Sequence, residues 1–180
     1  MNMGRPPLKR GAIERSALEL FVEKGVDGTS IRDIAQRAGV TEGALYRHHR
    51  SKHDLVRHLF VASDKEFAAA KEALLSGDGS STDRLTAFVT ALFELYEKDA
   101  YVFRYVVEVD HQLLREVRVG EADLRGLLAR AIGRDGLAPL LILGMITEVA
   151  RAAATGRLAG KLSSHTASVA AAVVAVSAKA

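Results

Sequence analysis

Apolar residues recur at helical spacing along most of this chain. Over residues 9–24 they fall at Ile13, Ala17, Leu20 and Phe21, one face of a 3.6-residue period, and Gly25 supplies a stop. A shorter stretch places Ile31, Ile34, Ala35 and Ala38 on one face behind Ser30, which forms a capping box with Asp33. Gly39 follows, where the chain must turn and a positive φ is often required. Thr41 is placed to cap a third helix running to about His48, and Val40 and Leu45 return apolar side chains to the same core. Ser51 and Asp54 make a second capping box, opening a helix that the pattern carries over residues 52–75.

Further helices are expected over residues 82–98, 100–115, 122–132, 139–155 and 164–178, with breaks at 77–81, 133–136 and 156–163. Pro139 suits the first turn of its helix. No stretch alternates β-branched residues with period two, and no internal repeat is evident, so the fold class is all-α. No flexible linker separates two halves; the boundary falls inside or just before the long fourth helix.

Two short helices joined by a Gly-containing turn form the helix-turn-helix of DNA-binding proteins, whose second helix enters the major groove. Any helical hairpin can show the same pattern. The flanking residues narrow the choice. Ala17, Leu20, Phe21, Gly25, Thr29, Ser30, Ile31, Ile34, Ala35, Ala38, Gly39 and Val40 stand in a characteristic register, continued by Gly43, Leu45, Tyr46, His48, Ser51, Lys52 and Leu55. Over residues 9–58 the chain resembles the TetR family of transcriptional regulators; beyond that stretch the likeness is only architectural. One position departs: the family usually carries an aromatic, most often Phe, where this chain has His49. A neutral imidazole fills much of that space, whereas a protonated one sets a charge against apolar neighbours. Weaker DNA binding at mildly acid pH is therefore expected.

The resemblance implies an N-terminal three-helix DNA-binding domain with its helix-turn-helix, fused through the long fourth helix to a helical ligand-binding and dimerisation domain. The boundaries expected are a flexible basic arm at 1–8, the DNA-binding domain at 9–58, and the effector-binding and dimerisation domain at 59–180. It further implies a dimeric repressor released from a palindromic operator when a small ligand shifts the fourth helix. Activation, or a ligand acting as co-repressor, stays open.

Composition fits that frame. The 180 residues are 48% hydrophobic, enough for one substantial core or two small ones, and the absence of Cys excludes disulfides and thiolate chemistry. Residues 1–60 hold 11 Lys and Arg against 7 Asp and Glu, a net of +4, while the other 120 hold 14 against 15, a net of −1, so the positive charge of the chain lies in the N-terminal third. A basic N-terminus is followed by no apolar h-region, and the longest apolar run, residues 138–146, is short of the ~18 residues of a membrane span. A soluble cytoplasmic protein with no membrane partner is expected. No nucleophile–base pair, phosphate loop or paired carboxylate stands at diagnostic spacing, so neither an enzyme nor a cofactor is expected.

The DNA contacts can be assigned by chemistry. Thr41, Glu42 and Gly43 open the recognition helix, whose N-terminal residues reach base edges; Gly43 permits close approach, and Glu42 could accept from a cytosine amino group or simply face solvent. Tyr46, Arg47, His48 and Lys52 are candidates for phosphate contacts, the resemblance supporting Tyr46, His48 and Lys52. Thr29 and Ser30 could hold a phosphate through hydroxyls and free amides. Arg32, Arg37, Arg50 and Arg57 read as surface residues. Gly4, Arg5, Pro6 and Pro7 with Lys9 and Arg10 form either a minor-groove arm or a plain tail.

A recognition helix this short binds weakly alone, and such modules act as dimers on paired half-sites. Leu140, Leu143, Thr147 and Arg151, with Val169, Val173 and Val176 on a small-residue last helix, are the expected homodimer surface; intramolecular core is the alternative. The ligand pocket is expected among Phe88, Leu92, Tyr96, Phe103 and Val107, with polar anchors from Arg104, Glu108 and His111; Glu148 is either a further anchor or a polar face residue at the interface. Abundant aliphatics and no Trp hint at a lipophilic effector. Two other readings remain, a ligand-independent DNA-binding protein and a metal-responsive sensor using the histidines between His48 and His58.

Overall fold

The computed structural model describes residues 6–75, 79–108, 124–133 and 136–179, and every regular element among them is helical. In chain order these are α1 (Pro6–Lys24), α2 (Ile31–Arg37), α3 (Glu42–Tyr46), α4 (Lys52–Glu66) and α5 (Ala68–Leu75). Then come α6 (Ser81–Lys98), α7 (Ala100–Glu108), α8 (Leu124–Ile132), α9 (Leu137–Ala154), a 3₁₀ turn (Leu162–His165) and α10 (Thr166–Lys179).

Two expectations about helix limits need correction. α1 begins at Pro6, so residues 6–8 belong to a helix and leave no eight-residue arm. Prolines fit there because the first helical amides have no intrahelical acceptor. Gly4 and Arg5 lie outside the described residues. The helix expected over 52–75 is two helices. Phe67 is fully buried, its ring 6.0 Å from that of Phe103, and its amide donates to Asp64 one residue short of the α ladder. Lys71 Nζ reaches across the break to Asp64 at 2.6 Å.

The chain divides into two compact units, with boundaries after Ser63 within α4 and after Phe103 within α7. The first holds the described residues up to Ser63 together with Arg104–Glu108, so the end of α7 joins a unit for which the family resemblance implied a limit at residue 58. Its core is Ile13, Ala17, Leu20, Phe21, Ile34, Leu45, Leu55 and Leu59. Tyr105 completes it: the ring stacks on Phe21 at 6.1 Å, and the hydroxyl donates to the Val56 carbonyl at 3.0 Å. Burial pushes this phenol well above its ordinary range.

In the second unit α6 packs chiefly against α5 and α10, burying Phe88, Val89, Leu92 and Phe93, while α9 contributes Ile142, Ile146 and Ala150. The 3₁₀ turn is tied to α6 by the Ser163 amide, which donates to Glu97 at 2.8 Å. α9 has mean hydropathy 1.6 over 18 residues, the one helix among those described that is long and apolar enough to cross a membrane. The uninterrupted run 138–146 did not meet that length; Glu148 and Arg151 interrupt the remainder of α9. Three leucines of this helix face outward, Leu137 at 65%, Leu140 at 49% and Leu141 at 43% exposure.

The expected dimer residues are therefore sorted by the fold. Leu140 and Arg151 are exposed, whereas Leu143, Thr147, Val169 and Val176 are half-buried. Val173 is wholly buried within the chain's own core and is withdrawn from any interface. On α10 the outward positions are the small ones, Ala171, Ala172 and Ala175.

Candidate nucleic-acid interface

The helix-turn-helix is assembled almost entirely from local hydrogen bonds. Ser30 Oγ accepts from the Asp33 amide at 3.1 Å, and the Asp33 carboxylate accepts from the Ser30 amide at 2.9 Å, closing the capping box. The same bonds from Ser30 hold the Asp33 carboxyl below the usual carboxylate range. The chain leaves α2 through Gly39 at φ +65°, a value that L side chains rarely adopt, and the Val40 amide bonds back to Ala35 at 2.9 Å. Thr41 then caps α3, accepting from the Ala44 amide at 3.2 Å.

α3 is only five residues long, so its orientation comes from its ends and its one buried side chain, Leu45. The Leu45 carbonyl accepts the amides of His48 at 2.9 Å and His49 at 3.0 Å. His49, the second of these, is 2% exposed. Its Nε2 lies 3.5 Å from Glu14 of α1 and its Nδ1 3.8 Å from Asp54 of α4, close enough to feel both charges. Nε2 nevertheless makes no hydrogen bond among the described residues. Desolvation holds this imidazole below its ordinary pKa, with Glu14 opposing the shift and His58 and Arg10 adding to it.

The outward face of α3 and its flanks carries Thr41, Glu42, Gly43, Tyr46 and Arg47, all exposed, with His48 half-buried. Tyr46 is half exposed, at 50%, which is unusual for a large aromatic on a helix of this size. A Cβ built on Gly43 would meet nothing within 4 Å, so no intramolecular contact requires glycine there. The expected base-reading and phosphate residues of α3 are thus presented together on one side.

Three neighbouring side chains expected at phosphates are engaged within the domain. Thr29 is buried, and its hydroxyl donates to the Gly25 carbonyl at 2.8 Å and the Leu20 carbonyl at 3.3 Å, leaving nothing to hold a phosphate. Lys52 Nζ donates to the carbonyls of Val26 at 2.9 Å and Thr29 at 3.1 Å, bracing the α1–α2 loop against α4. Ser30 spends its hydroxyl and amide on Asp33. Each of these groups has partners inside the domain, two of the three Lys52 donors included, and leaving those carbonyls or that carboxylate unmatched would be unfavourable. Arg37, expected at the surface, forms a two-pronged pair with Glu23 at 3.0 and 2.8 Å.

The expected ligand residues fall on both sides of the division between the two units. Phe88, Leu92 and Phe103 are fully buried in the second unit, and Tyr96 meets Phe103 edge-on at 5.6 Å. Arg104 and Glu108 pair with one another at 3.0 Å in the first unit, where Val107 is half-buried. Glu148 is corrected from a candidate anchor to a surface residue: it is exposed and paired with Arg151 at 3.2 Å and Arg157 at 2.9 Å. His111 lies outside the described residues. Among the described residues no group of three or more His, Asp or Glu is placed to hold a metal ion.

Comparison with known proteins bears on the same segment. Residues 13–59 match the model of the bacterial regulatory proteins of the tetR family. The chain is 28% identical over 131 residues to the HTH-type transcriptional activator FasR of Mycolicibacterium smegmatis, covering 71% of this chain and 60% of FasR. It is 36% identical over 103 residues to the HTH-type transcriptional repressor KstR2 of Rhodococcus jostii, covering 56% of this chain and 50% of that protein. The matches therefore span between half and three-fifths of these relatives, both of which are transcriptional regulators by name. The fold is similar to that of the transcriptional regulator FadR of Bacillus subtilis in complex with stearoyl-CoA, with TM-score 0.66, 21% identity, and 92% of this chain and 98% of that one covered. The helix-turn-helix domain of this chain belongs to the TetR family of bacterial regulatory proteins.

Proposed function

We propose that this chain is a dimeric, sequence-specific DNA-binding transcriptional regulator, a repressor released from a palindromic operator by a small lipophilic ligand. The observation that carries the DNA-binding part is the outward set on α3, with Thr41, Glu42, Gly43, Tyr46 and Arg47 exposed while Leu45 and His49 fix the helix from behind. The N-terminal residues of such a helix meet base edges, and Tyr46 and Arg47 flank them where phosphates run.

A five-residue recognition helix reads few base pairs, so useful affinity requires two copies at fixed spacing. The stripe of Leu137, Leu140, Leu141 and Gly144 on α9, beside the outward alanines of α10, supports pairing with a second chain. Exposed leucines at helical spacing would gain by burial, and small residues allow the helices to approach closely. The effector is read as lipophilic from the aliphatic and aromatic composition of the second unit. A ligand acts through its different affinity for the two forms of the dimer, typically 1–3 kcal/mol of coupling.

The test is selection of bound genomic fragments by the purified chain, followed by salt-dependent binding of wild type and Tyr46→Ala. An enriched palindrome, a steep fall in affinity with salt and a loss of about tenfold or more in the variant are expected. Equal weak binding to all fragments by both proteins would refute the reading. Reporter expression in a deletion strain then separates repression from activation.

A further inference from the structure

Behind the recognition helix, in the first unit, two imidazoles share one carboxylate. Glu14 on α1 accepts from Arg10 Nε at 2.7 Å, lies 3.0 Å from His58 Nε2 on α4, and lies 3.5 Å from His49 Nε2. The rings of His49 and His58 are 5.4 Å apart at 51°. His58 Nε2 also stands 3.2 Å from the Arg10 guanidinium. That nitrogen thus faces a donor and an acceptor together: its lone pair suits Arg10 and its proton suits Glu14, and no single state serves both. Asp54, 3.8 Å from His49 Nδ1, completes the charged groups around His49, with Arg10 and Glu14 on α1 and Asp54 and His58 on α4.

His49 differs from the others in burial and in position. It is 2% exposed, its Nε2 makes no hydrogen bond among the described residues, and its amide closes the end of α3 on the Leu45 carbonyl. A proton added here places a charge in a desolvated site beside a second imidazole and a guanidinium. The one carboxylate within ion-pair reach of Nε2 is already bonded to Arg10.

We propose that the His49–Glu14–His58 cluster is a proton-sensitive latch, in which neutral His49 seats the C-terminal end of the recognition helix and its protonation releases it. The consequence for operator binding rests on the DNA-binding reading above, but the latch itself does not. Because folding holds this imidazole below its ordinary 6.5, the released chain takes up the proton more readily. The stability that His49 contributes is complete above pH 6.5 and is lost as pH falls below it.

The experiment is amide hydrogen exchange in the full chain at pH 7.5 and 5.5, corrected for intrinsic exchange chemistry, read at the His48 and His49 amides. Protection in the wild type should fall on acidification by up to about tenfold, the limit for one proton over a pH unit. Position 49 and its neighbour should lose no such protection in His49→Phe, which keeps a ring and cannot charge. Glu14→Gln removes the carboxylate that favours the charged ring, so it should deepen the loss and serves if His49→Phe fails to fold. Two results overturn the latch. One is equal pH dependence in wild type and His49→Phe. The other is increased protection of the wild type at pH 5.5, which would mean that the imidazolium bridges Glu14 and Asp54 and tightens the seat. Operator binding measured on the same samples separates the two claims: absence of binding at every pH defeats the regulator reading and leaves the exchange result to decide the latch.

Discussion

Replacing Gly43 by Ala separates folding from DNA binding more cleanly than any other single change in α3. Gly43 is the second residue of that helix, exposed, with no atom within 4 Å of the position a Cβ would take. Ala has the better helix propensity, so the fold should gain about 0.5–1 kcal/mol, less where the first turn is already constrained by the Thr41 cap. In a chain of 180 residues that corresponds to roughly 2–4 °C per kcal/mol in melting temperature. If the open space is where a groove wall approaches the backbone, the added methyl collides with it. Operator affinity should fall by at least about tenfold, ~1.4 kcal/mol. Thermal unfolding and fluorescence anisotropy with a labelled operator read the two effects on one preparation. A variant as stable as the wild type that binds DNA equally well would refute the placement of Gly43 against DNA. Joint loss of stability and binding would mean that its environment is not open.

Two other substitutions test assignments that the fold revised. Thr29→Val leaves the Gly25 and Leu20 carbonyls without their hydroxyl donor and should lower unfolding stability by about 1–3 kcal/mol, measured by urea titration. The salt slope of DNA binding should stay unchanged, whereas a shallower slope would return Thr29 to phosphate contact. Leu141→Glu places a charge on the outward stripe of α9, and sedimentation equilibrium should show monomer for the variant against the dimer proposed for the wild type. A dimer unaffected by that change, with melting temperature intact, would move the interface elsewhere.

What could be read from the chain depended on how far apart the interacting groups lie. The Ser30–Asp33 box, the Thr41 cap and the Gly39 turn each involve partners within five residues, so residue types at fixed offsets disclose them. Thr29 and Lys52 carry the same hydroxyl and ammonium chemistry that would suit a phosphate. The Lys52 acceptors are 26 and 23 residues away along the chain and became visible only in three dimensions, whereas Thr29 bonds to Gly25 four residues back and to Leu20 nine back, partners that its residue type does not disclose. The break at Phe67 has no Pro or Gly to announce it, because it follows from a buried ring rather than from backbone preference. On α10, where Ala and Val alternate almost without polar relief, composition marks an apolar helix without saying which side faces inward, and so Val173 was placed on the wrong face. Glu148 and Arg104, both expected as candidate anchors for a ligand, are ion-paired, Glu148 at the surface with Arg151 and Arg104 with Glu108 one turn on, pairings that their charges alone do not single out.

These cases share a physical cause that also governs how α3 works. A helix of five residues has too few internal hydrogen bonds to hold its own shape or direction. Its stability is borrowed from four attachments: the Thr41 cap, the Leu45 side chain in the core, the two amides on the Leu45 carbonyl, and the His49 ring against α1 and α4. Lys52 supports the last of these indirectly by fixing the loop through Val26 and Thr29 to the start of α4. Polar groups that a sequence reader would assign to DNA are consumed in this support, which leaves only the residues between the attachments to face outward. Thr29 and Lys52, which lie outside α3, are engaged in bracing the domain, so the DNA contact proposed above falls to the residues exposed on α3 and its flanks, Thr41, Glu42, Gly43, Tyr46 and Arg47.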